Sequence, residues 1–100
     1  MTLYLYKIIS PENWKESQSQ NCVKLAKEDD EFIHLATESQ LQKIIDKYWG
    51  NASAYVILKV AVNRLPGELV YEANPGGTNK YYHLYGGAIP RDSIVEFKIK

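Results

Sequence analysis

Apolar positions along the chain fall in short runs, and the spacing within the runs changes from one to the next. Leu3–Ile9 is apolar and aromatic apart from Lys7, as a buried strand is. Ser10-Pro11-Glu12 then supplies an N-cap, a first-turn proline and a carboxylate for the positive helix end. A short helix is predicted from Pro11 to about Gln18, with Trp14 as its large anchor. Asn21–Asp30 is mixed and leads into the acidic run Glu28–Glu31, a solvated loop. Phe32–Ala36 is a second strand, apolar except for His34. Thr37-Glu38-Ser39-Gln40 has the form of a capping box. After it Leu41, Ile44, Ile45, Tyr48 and Trp49 recur at helical spacing, as core-facing residues, until Gly50 can end the helix in a left-handed conformation.

The second half reads as strands. Ala54–Val62 is rich in β-branched residues and fits a central strand. Pro66-Gly67 suits the middle of a turn between it and Glu68–Glu72. Ala73–Asn79 is an irregular loop, Tyr81–Tyr85 a strand, and Gly86-Gly87 a break. In Ile94–Ile99 the residues Val95, Phe97 and Ile99 face one way and Glu96 and Lys98 the other, which predicts a strand with one wet face, at or near a sheet edge. The order β, α, β, α and then four strands predicts an α+β fold: one domain with an antiparallel or mixed sheet and two helices against it.

Composition narrows the function classes. Twelve basic residues balance twelve acidic ones, which argues against a strong grip on long nucleic acid or on an anionic membrane. Cys22 is the single cysteine, so no intrachain disulfide framework exists. The first residues lack the pattern of a secretory signal and no apolar run is long enough to span a bilayer, so a cytoplasmic setting is the expectation. With two histidines 49 residues apart and no HxH or HExxH spacing, no metal site is expected.

Those two histidines are the main candidates for chemistry. Alternation puts Phe32, His34 and Ala36 on one strand face, and Tyr81, His83 and Tyr85 on one face of another. Two imidazoles on one cleft would serve as general acid and general base, whereas each alone would serve equally as a satisfied core residue. Lys7 shares a strand face with Leu3, Leu5 and Ile9, where its cation must be paired, reach a cleft, or snorkel to water from the strand end. Glu72 closes a strand and would orient a histidine, act as a carboxylate catalyst, or lie solvated. The glycines of Asn74–Asn79 would let backbone N–H groups approach an anion, but neither a P-loop nor a dinucleotide fingerprint is present. Of the eight tyrosines, Tyr4, Tyr6, Tyr71, Tyr81, Tyr82 and Tyr85 lie on the strands that carry these candidates.

The same segments resemble a bacterial family known as domain of unknown function 952. The likeness rests on Leu5-Tyr6-Lys7-Ile8, on Trp14, on Phe32-Ile33-His34-Leu35-Ala36-Thr37 with Gln40-Leu41, and on Tyr82-His83-Leu84-Tyr85-Gly86 followed by Ile89-Pro90. Tyr71-Glu72 stands where the family usually has Trp-Glu, and Asp30-Glu31 where it has aspartate-glycine. The resemblance implies a split sheet of the ADP-ribosyltransferase type, whose cleft holds NAD in active relatives. By position, Lys7 falls at the first motif of that fold, Thr37 or His34 at the second, and His83 or Glu72 at the third. An imidazole does not replace in kind the glutamate that stabilises an oxocarbenium-like state.

Three functions follow as expectations. The first is a cleft lined by Lys7, His34, Thr37, Glu72, His83 and Tyr85 that binds NAD, ADP-ribose or a related phosphorylated nucleotide, with transferase chemistry if it is an enzyme. The second is metal-independent phosphoryl or phosphodiester transfer by His34 and His83, on a short or terminal RNA. The third is a non-enzymatic binding module whose histidines are structural.

Overall fold

The computed structural model describes residues 3–20, 22–23, 32–73 and 76–100. The acidic run Glu28–Glu31, including the Asp30-Glu31 departure, and Asn74-Pro75 of the glycine loop lie outside the described residues.

Eight strands and two α-helices form the described fold: β1 (Tyr4–Ile9), α1 (Pro11–Gln20), β2 (Cys22–Val23), β3 (Ile33–Leu35), α2 (Glu38–Tyr48), β4 (Val56–Ala61), β5 (Glu68–Ala73), β6 (Lys80–Tyr85), β7 (Ile89–Pro90) and β8 (Ile94–Ile99). Single 3-10 turns at Val62–Arg64 and Arg91–Ser93 complete it. Every strand pairing among the described residues is antiparallel. One sheet has the order β1-β4-β8 and a second β3-β6-β5, with β2 and β7 as a separate short pair. The α+β class is therefore as expected, and Val56–Ala61 is the central strand of its sheet.

The two larger sheets meet at one rung. Tyr6 and Ala36 exchange backbone hydrogen bonds, Tyr6 N–H to the Ala36 carbonyl at 2.7 Å and Ala36 N–H to the Tyr6 carbonyl at 2.8 Å. Beyond this isolated bridge β1 and β3 belong to different ladders among the described residues. The sheet is thus split, and the split creates the cleft described below.

The core lies on the inward faces of both sheets: Leu5, Ile9, Val56, Leu58 and Val60 from one, Ile33, Leu35 and Leu84 from the other, joined by Val23 and Ile89. Each such side chain contributes roughly 1.5–3 kcal/mol by leaving water. Trp14 of α1 packs against this cluster and against the Phe97 ring at 4.8 Å. Ser10 caps α1 as expected, its Oγ accepting from Asn13 N–H at 3.1 Å, and the helix runs two residues past Gln18.

Local signals in the sequence are met in different ways. The capping box at Thr37 forms, and the Gln40 amide also donates to the Lys80 carbonyl at 2.9 Å, tying the start of α2 to the start of β6. Gly67 takes φ +82° in its turn, and a Cβ there would lie 2.3 Å from the Tyr85 carbonyl oxygen. Gly50 is corrected: it is not among the glycines with positive φ. Trp49 caps α2 with φ −121°, and glycine follows because a Cβ would come within 2.9 Å of the Asp46 carbonyl oxygen. The loop read at Asn21–Asp30 contains β2, because Cys22 and Val23 pair with Pro90 and Ile89. The place of β8 at a sheet edge is as expected, but its apolar face is corrected. Val95, Phe97 and Ile99 are 52%, 51% and 66% exposed, because β8 is the outer strand of its sheet.

Candidate functional site

The site is built where β3 and β6 lie side by side. Their register sets His34 directly opposite His83, and the neighbouring ladder sets Glu72 opposite Tyr81. Strand parity therefore gathers Phe32, His34, Glu72, Tyr81, His83 and Tyr85 on one face of this sheet. The Phe32 ring stacks on His83 at 4.0 Å between centroids and packs against His34 at 4.8 Å and Tyr85 at 5.0 Å. The His34 and His83 rings meet edge-on, 5.2 Å apart at an interplanar angle of 72°.

Glu72 is the hub of the polar contacts. His83 Nδ1 lies 2.8 Å from Glu72 Oε2, and the Tyr85 hydroxyl donates to the same oxygen. An ionised carboxylate only accepts, so the His83 proton in this pair sits on Nδ1. The Tyr85 hydroxyl first, and then His83, hold the Glu72 carboxyl below the usual glutamate range. His83 is fully buried at 0% exposure. Of the three readings open for Glu72, these contacts fit the one in which it orients a histidine.

A cleft of about 510 Å³ opens at the split, lined by Tyr6, Lys7, Ile8, His34, Leu35, Ala36, Ile44, Tyr48, Trp49 and Tyr81. Its position follows from the bridge: Lys7 and Ile8 come just after Tyr6 on β1, while Leu35 and His34 come just before Ala36 on β3. Lys7 is 3% exposed and lies within β1, so its amine does not snorkel to water from a strand end. Ile44 and Tyr48 of α2 and its C-cap Trp49 complete the lining.

Of the residues singled out in the sequence, Lys7 and His34 line this cleft. Glu72, His83 and Tyr85 stand beside it as one hydrogen-bonded group. Thr37 is at the start of α2, where its N–H donates to Gln40 Oε1 at 3.0 Å and its hydroxyl lies 3.1 Å from that of Ser39. Thr37 does not line the cleft.

In the sequence Tyr48 and Trp49 read as helix-end core and Phe32 as a same-face neighbour of His34, none of them with a role in the site. The helical stripe of α2 reads as core, yet no residue of α2 is fully buried, because its C-terminal end spans the cleft and not a packed interior. Phe32 was recoverable from strand parity with His34. Tyr71 and Tyr82, in contrast, pack on each other at 4.7 Å on the opposite face of the sheet.

The family described as protein of unknown function (DUF952) matches residues 8–97. The chain belongs to this family. Among solved structures, the DUF952 chain is similar to the protein CC0527 from Caulobacter crescentus. Its crystal structure is 29% identical with a TM-score of 0.81, over 96% of this chain and 84% of that one. The solution NMR structure of CC0527 is 30% identical with a TM-score of 0.77, over 95% and 82%. No curated protein matches the DUF952 chain. Among its described residues no helix is long and apolar enough to cross a membrane, and no group of three or more His, Cys, Asp and Glu side chains is gathered where it would hold a metal ion.

Proposed function

We propose that the cleft binds a phosphorylated nucleotide of the NAD or ADP-ribose class, on a split sheet of the ADP-ribosyltransferase type. The observation that carries this reading is Lys7, a nearly buried cation that lines the cleft together with His34, Tyr48, Trp49 and Tyr81. Small-molecule sites commonly enclose roughly 300–1,000 Å³ behind apolar walls with a few polar groups. A lysine acts on phosphate as a point charge. Aromatic rings stack a base for about 1–3 kcal/mol.

The roles divide by exposure. His34 faces the ligand, donating to a ribose hydroxyl or carrying a proton. His83 is a positioning residue: Glu72 holds its Nδ1, and its ring supports His34 from the side. Glu72 is engaged by His83 and Tyr85, which favours binding over the glycosyl transfer that a ligand-facing glutamate would assist. A two-histidine acid–base reaction on a short RNA or a phosphodiester is less well supported, because His83 has no exposed surface.

The test is a protein-observed NMR titration with NAD, ADP-ribose and mononucleotides. The reading expects shifts confined to Lys7, His34, Tyr81 and the end of α2. It fails if none of these ligands moves a cleft residue.

A further inference from the structure

The outer edge of β8 carries a second set of observations, independent of the cleft. Val95, Phe97 and Ile99 are each more than half exposed, an unusual concentration of apolar side chains for a strand with no partner on its outer side among the described residues.

The backbone directions are set by the inner ladder. Tyr55 and Lys100 exchange both backbone hydrogen bonds, Tyr55 N–H to the Lys100 carbonyl at 3.3 Å and Lys100 N–H to the Tyr55 carbonyl at 2.9 Å. Antiparallel ladders alternate hydrogen-bonded and non-bonded pairs. Lys98 and Glu96, opposite Ile57 and Lys59, therefore bond inward to β4. Phe97 and Ile99 turn their N–H and C=O groups outward.

We propose that a second copy of this chain pairs antiparallel along β8, with the two-fold axis at Phe97. The sequence of the strand is self-complementary in this register. Phe97 meets Phe97 of the other copy and exchanges both backbone hydrogen bonds with it, while the register shift between Lys59 and Val60 makes Val95 a bulge, so the regular pairing runs over Glu96–Lys98. Glu96 then stands opposite Lys98 of the other copy, and Lys98 opposite its Glu96.

Charge selects this register over its neighbours. A slip of two residues keeps the outward groups paired but sets Glu96 against Glu96, or Lys98 against Lys98, and like charges directly opposite destabilise a ladder. Within one copy Glu96 Oε1 and Lys98 Nζ already lie 3.7 Å apart, so dimerisation assembles a group of four alternating charges. On the other face the two Phe97 rings come together at the axis, each backed by its own Trp14. A contact of this kind is isologous and closes at two copies.

The experiment is sedimentation equilibrium on the wild type, Glu96→Lys, Lys98→Glu and the swap variant carrying both changes. Both substitutions are on the exposed edge, and circular dichroism checks that all three variants keep the fold. The wild type is expected to dimerise, each single reversal to raise the dissociation constant about tenfold, and the swap to regain most of that loss. A wild type that stays monomeric up to about 0.1 mM overturns the proposal. So do single variants that dimerise like the wild type, or a swap as weak as either reversal.

Discussion

His34 and His83 are opposite each other across the β3–β6 ladder, with ring centroids 5.2 Å apart, yet they occupy different environments. His34 lines the cleft, whereas His83 is fully buried on Glu72. Their substitutions should therefore separate. His83→Ala removes a buried ring and leaves its hydrogen-bond partner Glu72 short of one donor, and should cost about 2–4 kcal/mol of stability. For a domain of this size that lowers Tm by roughly 10 °C or more. His34→Ala should cost about 1 kcal/mol or less and abolish nucleotide binding. Calorimetric unfolding of both variants, with and without ADP-ribose, checks the pair.

The Glu72 carboxyl titrates below the usual glutamate range because the Tyr85 hydroxyl and His83 favour its charged form. A carboxyl lowered in the folded state stabilises the fold above its unfolded pKa, about 4.3, and loses that contribution as pH falls through the lower folded value. Tm of the wild type should therefore drop as pH is lowered from about 5 toward 2. Glu72→Gln should be less stable at neutral pH and show a flatter profile over that window. Equal slopes in the two proteins would contradict the role given to Glu72.

The two tryptophans report on different parts of the molecule. Trp49 lines the cleft, and Trp14 packs on Phe97 at the far sheet. A nucleotide in the cleft should quench Trp49 emission. Trp14→Phe should keep the quenching response and Trp49→Phe should lose it, in a fluorescence titration.

Gly67 joins the turn before β5 to the end of β6. With φ +82° and the Tyr85 carbonyl oxygen 2.3 Å from where a Cβ would lie, Gly67→Ala strains the backbone and forces the strand end away. A loss of about 1–3 kcal/mol is expected in urea denaturation. The Tyr85–Glu72 contact should loosen with it, seen as a smaller effect of Glu72→Gln in the Gly67→Ala background.

How much of this was legible beforehand depends on the kind of signal. Strand parity alone puts His34 with Phe32 and His83 with Tyr85, and the capping box at Thr37 is a local pattern that needs no tertiary contact. Lys7 was recognisable as a cation on an apolar face, though its depth was not, since burial depends on the split between β1 and β3. Among the described residues β1 and β3 meet only at the isolated Tyr6–Ala36 bridge, which leaves no periodic trace. The aromatic wall at Tyr48 and Trp49 is the converse case: the helical stripe looks like core because periodicity reports a face and not what covers it. The stripe of β8 misleads only in part: its place at a sheet edge was legible, but the alternation implies a half-buried face, whereas Val95, Phe97 and Ile99 are each more than half exposed.

The central claim is that Lys7 holds the phosphates of a cleft-bound nucleotide. Isothermal titration of ADP-ribose and of adenosine into the wild type and Lys7→Met tests it most directly. Methionine keeps the buried volume and removes the charge, and circular dichroism checks that the fold is kept. Lys7→Met is expected to weaken ADP-ribose binding about tenfold or more while leaving adenosine binding unchanged. Equal losses for both ligands, or ADP-ribose bound as tightly by Lys7→Met as by the wild type, would contradict it.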